Sequence, residues 1–213
     1  MPLYNKKIYH IVHLDRLISI LNEQGLYCDR TIREKPNFGT KIGMDHIKNR
    51  RLNELRLSSH PNLFVGDCVP FYYSPRSVML YIIHKKQSQQ ITYKDGQENI
   101  VHLQADLART LHWAKSETKR WAMTFSNAGS RTFIDSSNEN DFHKLNWSAI
   151  NTNYWQQVSD EKQAEFLLEN FFPWHLFEVI GVINTNKADE VIRILNCFSG
   201  QQPKVQVHHN WYY

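Results

Sequence analysis

KIYHIVHLDRLISILNEQG, residues 7–25, carries the first decision about the fold. Residues 7–13 are rich in β-branched and aromatic side chains and read as a strand. Asp15 then offers an N-cap, Leu17, Ile18, Ile20 and Leu21 form an apolar stripe at helical spacing, and Gly25 closes the helix. Working outward, VPFYY (69–73), VMLYIIH (78–84), IVHL (100–103), WAMTFS (121–126), AEFLL (164–168), VIGVI (179–183) and KVQVHHNWYY (204–213) read as further strands, with Asp95-Gly96 marking a turn. Helices are expected near 46–57, 106–114 and 187–196. Residues 127–160 form a polar excursion holding Trp and Asn, of a length usually reserved for functional or mobile segments. The sum is an α+β domain, 1–213, with a mostly antiparallel, split β-sheet and flanking helices.

Composition narrows the classes. The chain has 213 residues, 41% hydrophobic and 22% charged, with only eight Gly and seven Pro, which excludes disordered and fibrous proteins. No run approaches the roughly 18 apolar residues of a membrane span. Charges interrupt MPLYNKKIYHIVHLDRL where a signal peptide would need its apolar stretch, so a cytoplasmic location without membrane association is expected. Cys28, Cys68 and Cys197 are too few and too scattered for a disulfide framework or a zinc site, and they read as reduced thiols. The eleven His form no metal-binding motif, and no metal is expected.

The formal charge of +4 has one source. Between Cys28 and Leu57 lie eight Lys or Arg against four Asp or Glu, and the rest of the chain balances at 17 against 17. The glycines never fall as G-x-G-x-x-G or as a P-loop, and no G-x-S-x-G elbow occurs, so the dinucleotide, Walker and serine-hydrolase readings lack support.

Five stretches, in this order along nearly the whole chain, resemble the DarT family of DNA ADP-ribosyltransferase toxins. They are YHIVHLD (9–15), IKNRR (47–51), VPFYYSPRSVMLY (69–81), KQAEFL (162–167) with FPW (172–174), and NWYY (210–213). The resemblance implies an ADP-ribosyltransferase-like fold. It also implies transfer of ADP-ribose from NAD⁺, as co-substrate, onto a thymidine base of single-stranded DNA. The implied partner, besides single-stranded DNA, is a macrodomain antitoxin of the DarG type. Other acceptors (guanine, RNA, a protein side chain) and a non-catalytic single-strand-binding module remain as alternatives.

Breaking the nicotinamide–ribose bond builds oxocarbenium character, which a nearby carboxylate stabilises. The resemblance puts that role on Glu165, following the 127–160 excursion that occupies the place of the family's substrate-recognition loop. Pattern alone would leave Glu165 a solvated edge residue. Arg51 is carried over as the second catalytic residue, clamping the NAD⁺ pyrophosphate or contacting the target base; pattern alone would leave Arg50 and Arg51 on a solvated basic face. His10, Ile11, Val12, Ser19 and Tyr27 fall on cofactor-flanking positions, with Val12 standing where the family commonly has Thr. For DNA, cations beside aromatic platforms single out Arg50, Arg76, Arg120, Tyr154 and Trp155.

Overall fold

β1 (Lys7–His13) runs through the middle of an eight-stranded sheet. The structure is a computed structural model that describes residues 3, 5–35, 38–87, 89 and 91–213. After β1 come α1 (Arg16–Asn22), β2 (Gly25–Tyr27), α2 (Asp29–Arg33), α3 (Asp45–Asn53) and β3 (Cys68–Tyr72). The middle of the chain supplies α4 (Val78–Lys85), β4 (Ile100–Asp106), α5 (Leu107–Ser116), β5 (Trp121–Asn127) and β6 (Asp135–Ser136). Then follow α6 (Trp147–Asn151), α7 (Ser159–Lys162), β7 (Ala164–Glu169), β8 (Phe171–Pro173), β9 (Phe177–Val182), α8 (Thr185–Leu195) and β10 (Lys204–Val207). The large sheet has the order β10-β9-β4-β1-β3-β7-β5-β6, and β2 and β8 form a separate antiparallel pair. Only β10 with β9 is parallel among the described pairs. The split, mostly antiparallel α+β architecture is the expected one.

Four local expectations are corrected. Residues 78–84 are helical: a short apolar run is ambiguous between helix and buried strand, and the local caps decide it. The Ser77 hydroxyl accepts from the Leu80 amide at 3.1 Å, and Lys86 ends α4 in the left-handed region with φ 56°. Gly25 does not close α1. Gln24 takes the left-handed position with φ 57°, and Gly25 opens β2, where a Cβ would collide with the Phe172 carbonyl and the Phe171 ring. Ile18 is exposed, so the buried stripe is Leu17, Ile20 and Leu21. The last strand stops at Val207, and a single 3-10 turn spans His209–Trp211. The 127–160 excursion is filled with short elements, and its Asn residues serve as caps: Asn146 Oδ1 accepts from Ala149 and Asn138 Oδ1 from Asn140.

Aromatic packing holds the layers together. Phe71 lies 4.6 Å from Phe172 and 6.4 Å from both Phe166 and Phe177, ring centre to ring centre, and Trp121 stacks on Phe142 and Phe166. Truncating one such buried ring costs about 3–5 kcal/mol. NWYY is structural glue. The Trp211 ring covers Gly181, where any Cβ would collide with it, and the Tyr212 hydroxyl donates to the Ile100 carbonyl at 2.8 Å. The Tyr213 hydroxyl donates to the Arg76 carbonyl at 3.1 Å, just ahead of α4.

His102 of β4 is fully buried, with Nε2 3.0 Å from the Pro75 carbonyl and Nδ1 without a partner among the described residues. The carbonyl can only accept, so Nε2 carries the proton. Burial lowers the His102 pKa to about 4. Between pH ~6.5 and ~4 the unfolded chain therefore binds a proton that the folded chain refuses, and stability falls as pH falls through that window. Urea unfolding from pH 7 to 4 should show a shallower loss for His102→Gln than for the wild type, by up to about 1.4 kcal/mol per pH unit. Parallel curves would contradict this.

Candidate active site

β7 and β3 pair antiparallel with Glu165 directly opposite Tyr72, so the two side chains share a face. The register of β5 against β7 breaks between Met123 and Asn127. There the Thr124 hydroxyl replaces a ladder bond by accepting from the Glu165 amide at 3.0 Å. Irregular pairing of this kind re-aims side chains beside functional sites. It leaves Asn127 and Gln163, joined at 3.2 Å, at the edge of a cavity of about 430 Å³.

Arg51 reaches Glu165 from the last turn of α3. Its Nη1 lies 3.0 Å from Oε1 and its Nη2 2.8 Å from Oε2, a bidentate fork between side chains only 11% and 4% exposed. Burial opposes the Arg51 charge, but Glu165 outweighs it and holds the guanidinium pKa above its usual value. Arg51 therefore stays protonated. The fork uses two of its five N–H donors and two of the four carboxylate lone-pair positions, so each partner keeps capacity for a ligand. Beside them Asp29 pairs with Lys48 at 2.6 Å. Burial works against the Asp29 charge, yet Lys48 and then Arg51 keep its carboxyl below the usual range. Burial, then the Glu165 charge, pushes the Tyr72 hydroxyl pKa up, so Tyr72 is a neutral donor at the pocket wall.

His10 closes the pocket from β1. Its Nδ1 is 2.7 Å from the Pro70 carbonyl, which fixes the proton on Nδ1 and leaves Nε2 as an acceptor. Burial lowers the His10 pKa to about 4, so the ring is neutral at physiological pH. Ile11, Val12 and Tyr27 also line the cavity, as do Val78, Met79 and Ile82 of α4. A neighbouring cavity of about 710 Å³ shares Arg16, Asp29, Ile32, Phe38 and Lys48 with the first and adds Arg33, Lys35 and Lys41. Cations of the basic 28–57 stretch, Arg33, Lys35, Lys41, Lys48 and Arg51, thus line two cavities that share a wall. Arg16 Nε donates to the Phe38 carbonyl at 3.0 Å, holding this guanidinium where the two cavities meet. Among the described residues no cluster of His, Cys, Asp or Glu could hold a metal ion.

Glu165, Arg51, His10, Ile11, Val12 and Tyr27 therefore meet in one pocket. Ser19 lines neither cavity, and its hydroxyl donates to the Arg16 carbonyl. Among the DNA candidates, Arg50 lies outside both cavities, its Nε buried and without a hydrogen-bond partner among the described residues. Arg120 forks onto Glu169 at the opposite end of β7 from Glu165. Trp155 is buried against Tyr81, and Arg76 bonds Asn153. Tyr154 is 88% exposed. Sequence reasoning missed Arg16, Asp29, Lys48, Asn127 and Gln163, and gave Tyr72 no role in this pocket. The pairing of β3 with β7 would have exposed Tyr72; the others carry no periodic signal.

Residues 9–213 match the family described as ssDNA thymidine ADP-ribosyltransferase, DarT. The chain belongs to the DarT family. It is 35% identical over 207 residues to a DNA ADP-ribosyl transferase of Thermus aquaticus, covering 97% of this chain and 88% of the relative. Its structure is similar to that of Thermus sp. 2.9 DarT in complex with ADP-ribosylated single-stranded DNA, with a TM-score of 0.87, 31% identity, and 98% and 96% of the two chains covered. The same Thermus DarT in complex with NAD⁺ matches with a TM-score of 0.83 and 28% identity over 99% of this chain and 98% of that one. The ADP-ribosyltransferase-like fold expected from the five DarT stretches is therefore the fold observed.

A buried ion pair contributes little net stability, but removing one member strands the other charge. Arg51→Ala should lower unfolding free energy by about 3 kcal/mol, and adding Glu165→Gln to it should restore part of that loss. Urea denaturation of the two single variants and the double variant checks this. Strict additivity would contradict a coupled pair.

Proposed function

We propose that this pocket transfers ADP-ribose from NAD⁺ to a thymidine base of single-stranded DNA and releases nicotinamide. The observation that carries the reading is the buried Arg51–Glu165 fork at the pocket of a DarT-family chain. NAD⁺ is consumed as a co-substrate, and residues 1–213 act as one transferase domain.

In this reading the neutral His10 presents Nε2 to a ribose hydroxyl, while backbone groups at Ile11 and Val12 meet the nicotinamide carboxamide. A backbone contact tolerates Val12 in place of Thr. Tyr27 packs on a flat ring, and Arg16 with Lys48 faces the pyrophosphate. The C1′–N bond breaks with both electrons leaving on nicotinamide, and Glu165 stabilises the positive charge that develops on the ribose. The imide nitrogen of thymine attacks C1′ and loses its proton. Arg51 cannot take that proton, because it keeps its own. It steadies the negative charge on the base, and Glu165 is the acceptor at hand.

Arg76 and Tyr154 face the acceptor strand. Ser19, Arg120 and Trp155 have structural partners instead, and Arg50 lies outside both cavities. Among the described residues no helix is long and apolar enough to cross a membrane. We place the reaction in the cytoplasm, held in check by a macrodomain antitoxin of the DarG type that removes the mark.

Incubation with NAD⁺ and a thymidine-containing single-stranded oligonucleotide should add the mass of one ADP-ribose unit. A duplex should react poorly, since its thymine imide edge is paired and must be flipped out. Equal labelling of both forms, or of a thymidine-free oligonucleotide, would refute the assignment. Glu165→Gln should retain NAD⁺ binding and lose well over about tenfold in kcat, because its effect grows as charge develops. A variant with nearly wild-type kcat would remove Glu165 from the chemistry.

A further inference from the structure

Lys162 belongs to the KQAEFL stretch, but the transfer chemistry gives it no task. It ends α7, is 3% exposed, and has no carboxylate within ion-pair distance among the described residues. Its ammonium donates instead to two backbone carbonyls, Ile150 at 2.6 Å and Thr152 at 2.9 Å. These are carbonyls at the C-terminal end of α6, which lack partners within the helix and attract a cation. Burial, then the charge of Arg76, lowers the Lys162 pKa to about 8. Burying an uncompensated cation is costly, so this contact must serve the segment that it closes.

Three fastenings hold that segment. Lys162 fixes Ile150 and Thr152, Arg76 Nη1 donates to the Asn153 side chain at 3.0 Å, and the buried Trp155 ring packs edge-on against Tyr81 at 5.1 Å. Arg76 in turn lies over the Tyr213 ring at 4.3 Å. Among these residues Tyr154 is the large apolar side chain left in solvent, 88% exposed. Tyr81 belongs to α4, the helix whose Val78, Met79 and Ile82 line the catalytic cavity, so the fastened segment is mounted on the pocket's own wall. An aromatic side chain carried on so fastened a stretch of backbone is a surface for a nucleobase, because stacking is tolerant of sequence and prior fixing of the chain spares part of the ordering cost.

We infer that Lys162 is a positioning residue that fixes residues 150–155 so that Tyr154 stands ready to stack a nucleobase flanking the base that receives ADP-ribose. The inference rests on the DNA-acceptor reading and adds a residue that selects and orients the strand.

Steady-state transfer to a single-stranded oligonucleotide at saturating NAD⁺ tests it. Tyr154→Ala and Lys162→Met should each raise KM for the oligonucleotide roughly tenfold, with kcat changed far less. Tyr154→Phe should match the wild type, Lys162→Gln, which keeps a donor, should recover part of the loss, and the double variant should be no worse than Lys162→Met alone. An unchanged KM in Tyr154→Ala, additive effects in the double variant, or a fall confined to kcat in Lys162→Met would overturn the inference. Should Lys162→Met fail to fold, Lys162→Gln and the Tyr154 variants decide by the same criteria. A wild-type chain that releases nicotinamide from NAD⁺ yet labels no oligonucleotide would instead refute the DNA-acceptor reading, a result distinct from an unchanged KM.

Discussion

The fork between Arg51 and Glu165 joins α3 to β7 across 114 positions of sequence, and both charges sit almost out of water. Neither could be buried alone, since an unpaired charge in such a place costs several kcal/mol. The pairing therefore dictates where the basic stretch must fold. α3 has to stand against the sheet face carrying Glu165 and Tyr72, and the Asp29–Lys48 pair ties α2 to it at the same level. From that constraint follow the lining of the pocket and the neighbouring cavity that shares Arg16 and Lys48 with it.

Much of the frame is legible in the sequence because it is periodic. β1, β4, β5, β7 and α8 come directly from alternation, apolar runs and helical stripes, and α5 is capped by Asp106, whose carboxylate accepts from the Arg109 amide. The 78–84 run is not legible that way. Seven mostly apolar residues satisfy both periods, and the caps at Ser77 and Lys86 tip them into a helix. β2 and β8 escape because three-residue strands have no period to read.

The candidate site divides along the same line. Glu165, Arg51 and His10 stand in stretches that resemble the DarT family, so they can be named before any geometry is seen. Asn127 and Gln163 meet only because the ladder of β5 and β7 breaks, an event that propensities do not encode. Arg120 and Trp155 look like nucleic-acid contacts by type, yet Arg120 forks onto Glu169 and Trp155 fills the space beside Tyr81. A cation beside an aromatic has the same signature whether it faces a base or a carboxylate. The pocket's histidine shows the converse: pattern can name His10, but only the Pro70 carbonyl reveals that it is neutral and which nitrogen can accept.

The most direct measurement is a crystal structure of this chain with a non-cleavable carbocyclic analogue of NAD⁺. The expected result has a Glu165 oxygen within about 3.2 Å of a hydroxyl on the nicotinamide-side sugar while Arg51 remains forked to the same carboxylate. A nicotinamide-side sugar bound well beyond hydrogen-bond reach of Glu165, with the fork intact and undisturbed, would contradict the placement of the chemistry at this pair.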